Sequence, residues 1–87
     1  MTINSIKKVK LIVYSRKDCH LCCDMIATLI ELQAQFPFSF RVIDIDSDLI
    51  LAENYGELVP VLTAEKEEIC HHRLDLVALD AYFAKLR

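Results

Sequence analysis

The stretch Tyr14-Ser15-Arg16-Lys17-Asp18-Cys19-His20-Leu21-Cys22-Cys23 decides how this chain is read. Val9-Lys10-Leu11-Ile12-Val13-Tyr14 leads into it, rich in β-branched residues and hardly alternating after Lys10, as in a strand buried on both faces. Behind it Cys22, Met25, Ile26, Leu29 and Ile30 recur at three- and four-residue spacing. That periodicity predicts a helix from Cys19 to about Ala34, with Asp18 as N-cap and Pro37 as its stop. Two cysteines three apart therefore fall where a strand hands over to a helix. A helix N-terminus carries unsatisfied N–H groups and about half a positive charge, so it favours a thiolate over a thiol. Such a C-x-x-C pair either exchanges electrons as dithiol and disulfide or holds a soft metal.

Composition narrows the setting. The 87 residues, 1–87, read as a single domain, and a hydrophobic fraction of 54% is ample for a core at that size without a structural metal or disulfide. One glycine and two prolines point to regular elements joined by compact turns. A net charge of −3 without a long basic run argues against nucleic acid or an anionic membrane as partner. Residues 1–8 read as a polar lead-in, with no apolar stretch suited to a signal peptide, and nothing approaches the ~20 apolar residues of a membrane span. The expectation is a monomer in the cytoplasm. There Cys19, Cys22, Cys23 and Cys70 read as catalytic or metal-binding more readily than as a disulfide framework.

Downstream, Phe38-Ser39-Phe40-Arg41-Val42-Ile43-Asp44-Ile45 alternates as a second strand, with Phe38, Phe40 and Val42 on one face. Asp46-Ser47-Asp48 announces a short helix over Leu49 to Tyr55, and Gly56 stands where a left-handed C-terminal cap is wanted. Leu58 to Thr63 reads as a third strand, Glu65-Lys66 as a turn, and Glu67 to His72 as a polar edge strand. Asp75 caps a last helix whose Leu76, Leu79, Phe83 and Leu86 form one stripe, with Lys85 and Arg87 suiting its negative end. The order β-α-β-α-β-β-α predicts an α/β fold, a four-stranded mixed sheet with helices on both faces and a right-handed crossover at its start.

These features resemble the thioredoxin fold and, within it, the small bacterial glutaredoxin-like proteins with a tyrosine-led strand followed by C-x-L-C. The likeness covers about residues 9–86. It rests on Cys19-His20-Leu21-Cys22 at the helix start, on Val59-Pro60 and on Asp75-Leu76 opening the last helix. The resemblance implies a thiol-disulfide oxidoreductase with Cys19 as nucleophile, Cys22 as resolving thiol and a cis bond at Val59-Pro60. It implies contacts to substrate from Arg16, His20, Leu21, Val59, Pro60, Arg73 and Asp75. Partners would be protein or small-molecule disulfides, with glutathione or a thioredoxin-type reductase as electron source and no tightly bound cofactor. Departures lie in the glutathione site: His20-Leu21 stands between the cysteines, Leu58 replaces a threonine, and His71-His72 replaces the family's Gly-Gly pair.

Two other readings follow from the residues. Cys19, His20, Cys22 and Cys23 are dense soft ligands, with Cys70, His71 and His72 elsewhere, which suits zinc or an iron–sulfur cluster. A β-α-β-β-α-β metallochaperone also carries C-x-x-C after its first strand, but its element order differs. The remaining reading is a thioredoxin-fold interaction module without catalysis. Cys23 and Cys70 read as bystander and packing residues. Strand alternation predicts that at most one of His71 and His72 faces the cysteines.

Overall fold

The computed structural model describes residues 9–86, so the lead-in and Arg87 lie outside the described residues. β1 (Val9–Ser15) and β3 (Val61–Ala64) run through the middle of one four-stranded sheet. β2 (Phe38–Asp44) and β4 (Glu67–His71) form its edges, in the order β2-β1-β3-β4. β1 and β2 are parallel, paired from Val9–Phe38 to Ser15–Asp44, and β3 runs antiparallel to β1 and β4. α1 (His20–Leu32) makes the crossover, and α2 (Leu49–Tyr55) and α3 (Leu76–Lys85) complete the predicted order.

Alternation along the strands divides the helices between the two faces. Val9, Leu11 and Val13 point one way, into a core shared with Met25 and Leu29 of α1, and Leu79, Tyr82 and Phe83 of α3. Phe83 is packed there between Phe36 and Phe38, with ring centroids 5.4 and 5.6 Å away. Tyr14 points the other way and stacks on Tyr55 at the end of α2, centroids 4.4 Å apart. α2 buries no residue, and Leu49 and Ile50 stay exposed, so this stack is one of the few contacts that tie it down. Asp48 caps α2 by accepting the Ile50 N–H at 2.8 Å. No helix among the described residues is long and apolar enough to cross a membrane.

Several local expectations are corrected. Gly56 has φ −50° and is not a left-handed cap; a Cβ there would stand 2.6 Å from the Ala52 carbonyl oxygen, so close approach is what favours glycine. β3 begins at Val61 and not at Leu58, because the N–H groups of Leu58 and Val59 both turn back to the Tyr55 carbonyl. The stripe of α3 is Leu79, Tyr82 and Phe83; Leu86 is partly exposed, and Leu76 is exposed at the head of a groove described below. The face shared by Phe38, Phe40 and Val42 is buried at Phe38 and open at Val42, since β2 is an edge. Glu65 and Lys66 form the β3–β4 turn with φ of 50° and 71°, the doubly left-handed geometry of a two-residue hairpin.

Candidate functional site

β1 delivers the chain to a turn at Lys17-Asp18, where Asp18 takes φ 57°, a conformation that aspartate tolerates better than most residues. That turn displaces the helix start by one residue from the sequence expectation. Cys19, with φ −105° and ψ 106°, is the N-cap, and Asp18 is not. The Cys19 sulfur does the capping: it accepts the Cys22 N–H at 3.1 Å. It is also bonded to the sulfur of Cys22 as a disulfide, with Cα atoms 5.2 Å apart. Cys22 is 1% exposed and Cys19 is partly exposed, so Cys19 is the member of the pair open to solvent. No acidic side chain lies in the first turn of α1. On reduction, the N–H that points at Cys19 and the open helix end both favour the thiolate.

The other expected site residues are distributed around this pair. His20 is 91% exposed in its side chain and faces Asp24 one turn on, Nε2 to carboxylate 4.0 Å. It shares a shallow hollow with Asp18, Cys19 and Cys23, and Cys23 is a free, exposed thiol. Arg16 is turned toward α2. Its Nε and Nη2 each donate to Asp46 at 3.1 Å and its Nη1 donates to the Gly56 carbonyl at 3.2 Å. These carboxylate contacts hold its guanidinium pKa above the ordinary value. The carboxylate Arg16 meets is thus one of the chain's own. Asp75 is likewise engaged, as N-cap of α3, accepting the Ala78 N–H at 3.0 Å.

Val59–Pro60 is a cis peptide bond. The loop around it is fastened by a residue whose role the sequence did not show. His72 has φ 65°, its N–H donates to the carbonyls of Pro60 (2.8 Å) and Leu58 (3.3 Å), and its Nε2 lies 2.8 Å from the Glu57 carbonyl oxygen. This left-handed turn ends the strand at His71, and of the two histidines only His72 lines the groove beside Leu21. Their rings meet edge-on, centroids 4.8 Å apart, with His71 Nδ1 2.7 Å from Glu68. His72 and Arg73 form one wall of a groove of about 320 Å³, and Leu21, Asp24, Met25 and Thr28 of α1 form the other. The i, i+3, i+4 and i+7 spacing from Leu21 was the available signal for that second wall. Cys70 is buried on β4, and burial pushes its thiol pKa up. Among the described residues no group of three or more His, Cys, Asp or Glu side chains is arranged to hold a metal ion.

Sheet order, a C-x-x-C disulfide at the first helix start and a cis proline before β3 define a thioredoxin-fold protein. Comparison with known proteins narrows this. The family model described as a glutaredoxin-like domain (DUF836) matches residues 10–84, and the chain belongs to that family. The solution NMR structure of protein Ne2328 from Nitrosomonas europaea is similar, with 43% identity and a TM-score of 0.82. The match spans 93% of this chain and 98% of that one. The X-ray structure of protein XcR50 from X. campestris has 30% identity and a TM-score of 0.63, over 88% of this chain and 99% of that one. The thioredoxin Deadhead from Drosophila melanogaster shares the fold at 21% identity and a TM-score of 0.58, over 95% and 85% of the two chains. No curated protein matches the chain.

Proposed function

We propose that this protein is a thiol-disulfide oxidoreductase of glutaredoxin type, working through the Cys19/Cys22 dithiol. The observation that carries the reading is the pair itself: a partly exposed sulfur that caps α1 and is bonded to a buried one a turn deeper. In the reduced protein the Cys19 thiolate attacks one sulfur of a substrate disulfide. A Cys19–substrate disulfide forms, and the other substrate sulfur leaves as a thiolate that takes up a proton. Cys22, deprotonated, then attacks the Cys19 sulfur, releases the second substrate thiolate and closes the Cys19–Cys22 disulfide. Two electrons have passed to the substrate, and an external dithiol or two thiol molecules return them by the same exchange.

The substrates in this reading are protein or small-molecule disulfides, and the electron source is glutathione or a thioredoxin-type reductase. The protein acts as a monomer in the cytoplasm and needs no tightly bound cofactor. Disulfide reduction by wild type, Cys19→Ser and Cys22→Ser, with glutathione and separately with thioredoxin reductase, tests it. Cys19→Ser should be inactive. Cys22→Ser should accumulate the Cys19–substrate disulfide, which an external thiol such as glutathione must then resolve. Activity retained by Cys19→Ser would refute the mechanism.

A further inference from the structure

α2 turns an apolar face to water. Leu49 and Ile50, side by side in its first turn, are 83% and 67% exposed, and the helix sends no residue into the core. Neighbouring aliphatic side chains that the fold leaves uncovered mark a surface where a partner gains by covering them.

The charge around them is one-sided. From Val42 to Ala64 the chain carries Asp44, Asp46, Asp48, Glu53 and Glu57 and no lysine, arginine or histidine. Asp46, Asp48, Glu53 and Glu57 are exposed. Arg16 pairs with Asp46, while among the described residues Asp48, Glu53 and Glu57 meet no cation at ion-pair distance. An apolar centre with a carboxylate rim favours a cationic partner and repels an anionic one.

This face also sits close to the reactive pair. The Arg16 guanidinium bonds Asp46 just before α2 and the Gly56 carbonyl just after it. One side chain thereby ties both ends of the helix to the loop that presents Cys19, three residues further along. A partner seated on α2 is held beside the loop from which the exposed cysteine projects.

We propose that the Leu49–Ile50 face of α2 is a docking surface for a protein partner with a basic, apolar-tipped segment. Its apolar side chains cover Leu49 and Ile50, and its lysine or arginine side chains meet Asp48, Glu53 and Glu57. This rests for its chemistry on the exchange reaction proposed above and assigns the class of protein disulfide brought to Cys19, one flanked by basic and apolar residues.

Two measurements separate docking from chemistry. In the first, the oxidised 15N-labelled protein is titrated with a cysteine-free lysine–leucine peptide and with its glutamate–leucine counterpart. Amide signals of Leu49, Ile50 and Glu53 should move with the lysine peptide alone. Its affinity should fall roughly threefold or more as salt is raised from about 0.05 to about 0.3 M, because the carboxylates become screened. Leu49→Gln/Ile50→Gln, at exposed positions where glutamine suits a helix, should weaken binding roughly tenfold. Glu53→Gln/Glu57→Gln should flatten the salt dependence. In the second, kcat and KM are measured for peptide disulfides with a lysine–leucine or a glutamate–leucine flank, with dithiothreitol as reductant. Wild type should favour the lysine flank through KM, and Leu49→Gln/Ile50→Gln should erase that preference with kcat and the thermal melt unchanged.

Equal binding of the two peptides, shifts gathered away from α2, or a preference untouched by both double variants would overturn the proposal. So would sedimentation showing that wild type, but not Leu49→Gln/Ile50→Gln, pairs with a second copy, since the face would then be covered by the chain itself. A wild type inactive on both substrates would refute the exchange reaction, and the titration would then decide the docking surface by itself.

Discussion

Asp75 gives the sharpest quantitative test, since sequence likeness assigns it to substrate while its carboxylate is occupied at the start of α3. Asp75 Oδ1 accepts the Ala78 N–H at 3.0 Å, and no other acidic residue lies in the helix's first turn. α3 has 10 residues, too few to hold together alone, yet it carries Leu79, Tyr82 and Phe83 into the core. Asp75→Ala removes both cap and charge and should cost about 1–2 kcal/mol. Asp75→Asn keeps a capping oxygen and loses only the charge at the helix end, about 0.3–1 kcal/mol. In a domain of this size each kcal/mol moves Tm by roughly 4–8 °C. Thermal melts of the oxidised proteins by circular dichroism should therefore rank wild type, Asn and Ala in that order. An Asn variant that melts as low as Ala would refute the capping argument. A fall in kcat/KM for Asp75→Asn with Tm unchanged would show that the carboxylate meets substrate instead.

The remaining thiols should separate by burial: in the folded oxidised protein iodoacetamide should label Cys23, which is exposed, while Cys70 reacts only as the protein opens. Peptide mapping of the labelled protein reads both, and Cys70 labelled as fast as Cys23 would contradict the packing around β4. Burial raises the pKa of Cys70, Tyr55 and Tyr82 in the folded state, so the unfolded chain gives up these protons first. Their contribution to stability is complete below the unfolded values, near 9.0 for the thiol and 10.0 for the phenols, and is lost as pH rises beyond them. Urea midpoints should thus fall above that range, more steeply in wild type than in Cys70→Ala. Replacing Glu65-Lys66 by Asn-Gly should raise stability by about 1 kcal/mol, because both positions have positive φ, and urea unfolding will measure it.

The parts of the site that were legible in the sequence are those set by neighbours along the chain. Asp48 and Asp75 announce their helices because a capping carboxylate bonds an N–H two or three residues away. The C-x-x-C pair at the strand–helix junction is equally local. Even so, one left-handed residue at Asp18 moved the cap onto Cys19, a change in a single φ that residue type only weakly specifies. The shortened β3 has a similar origin, in main-chain bonds that Leu58 and Val59 make to Tyr55.

By itself, then, the sequence determined the order of elements and the place of the C-x-x-C pair, since these follow from short-range periodicity and capping, while the inward faces of β2 and α3 were legible only in part. Tertiary structure decided which groups those elements meet. Arg16 finds Asp46 thirty positions on, and the His72 ring finds Glu57 fifteen positions back. Such partners are chosen by how β1, α2 and the end of β4 pack, not by anything adjacent in the chain. The chemistry of the Cys19–Cys22 pair was therefore written locally, whereas the shape and charge of the groove beside it arose only when distant segments were brought together.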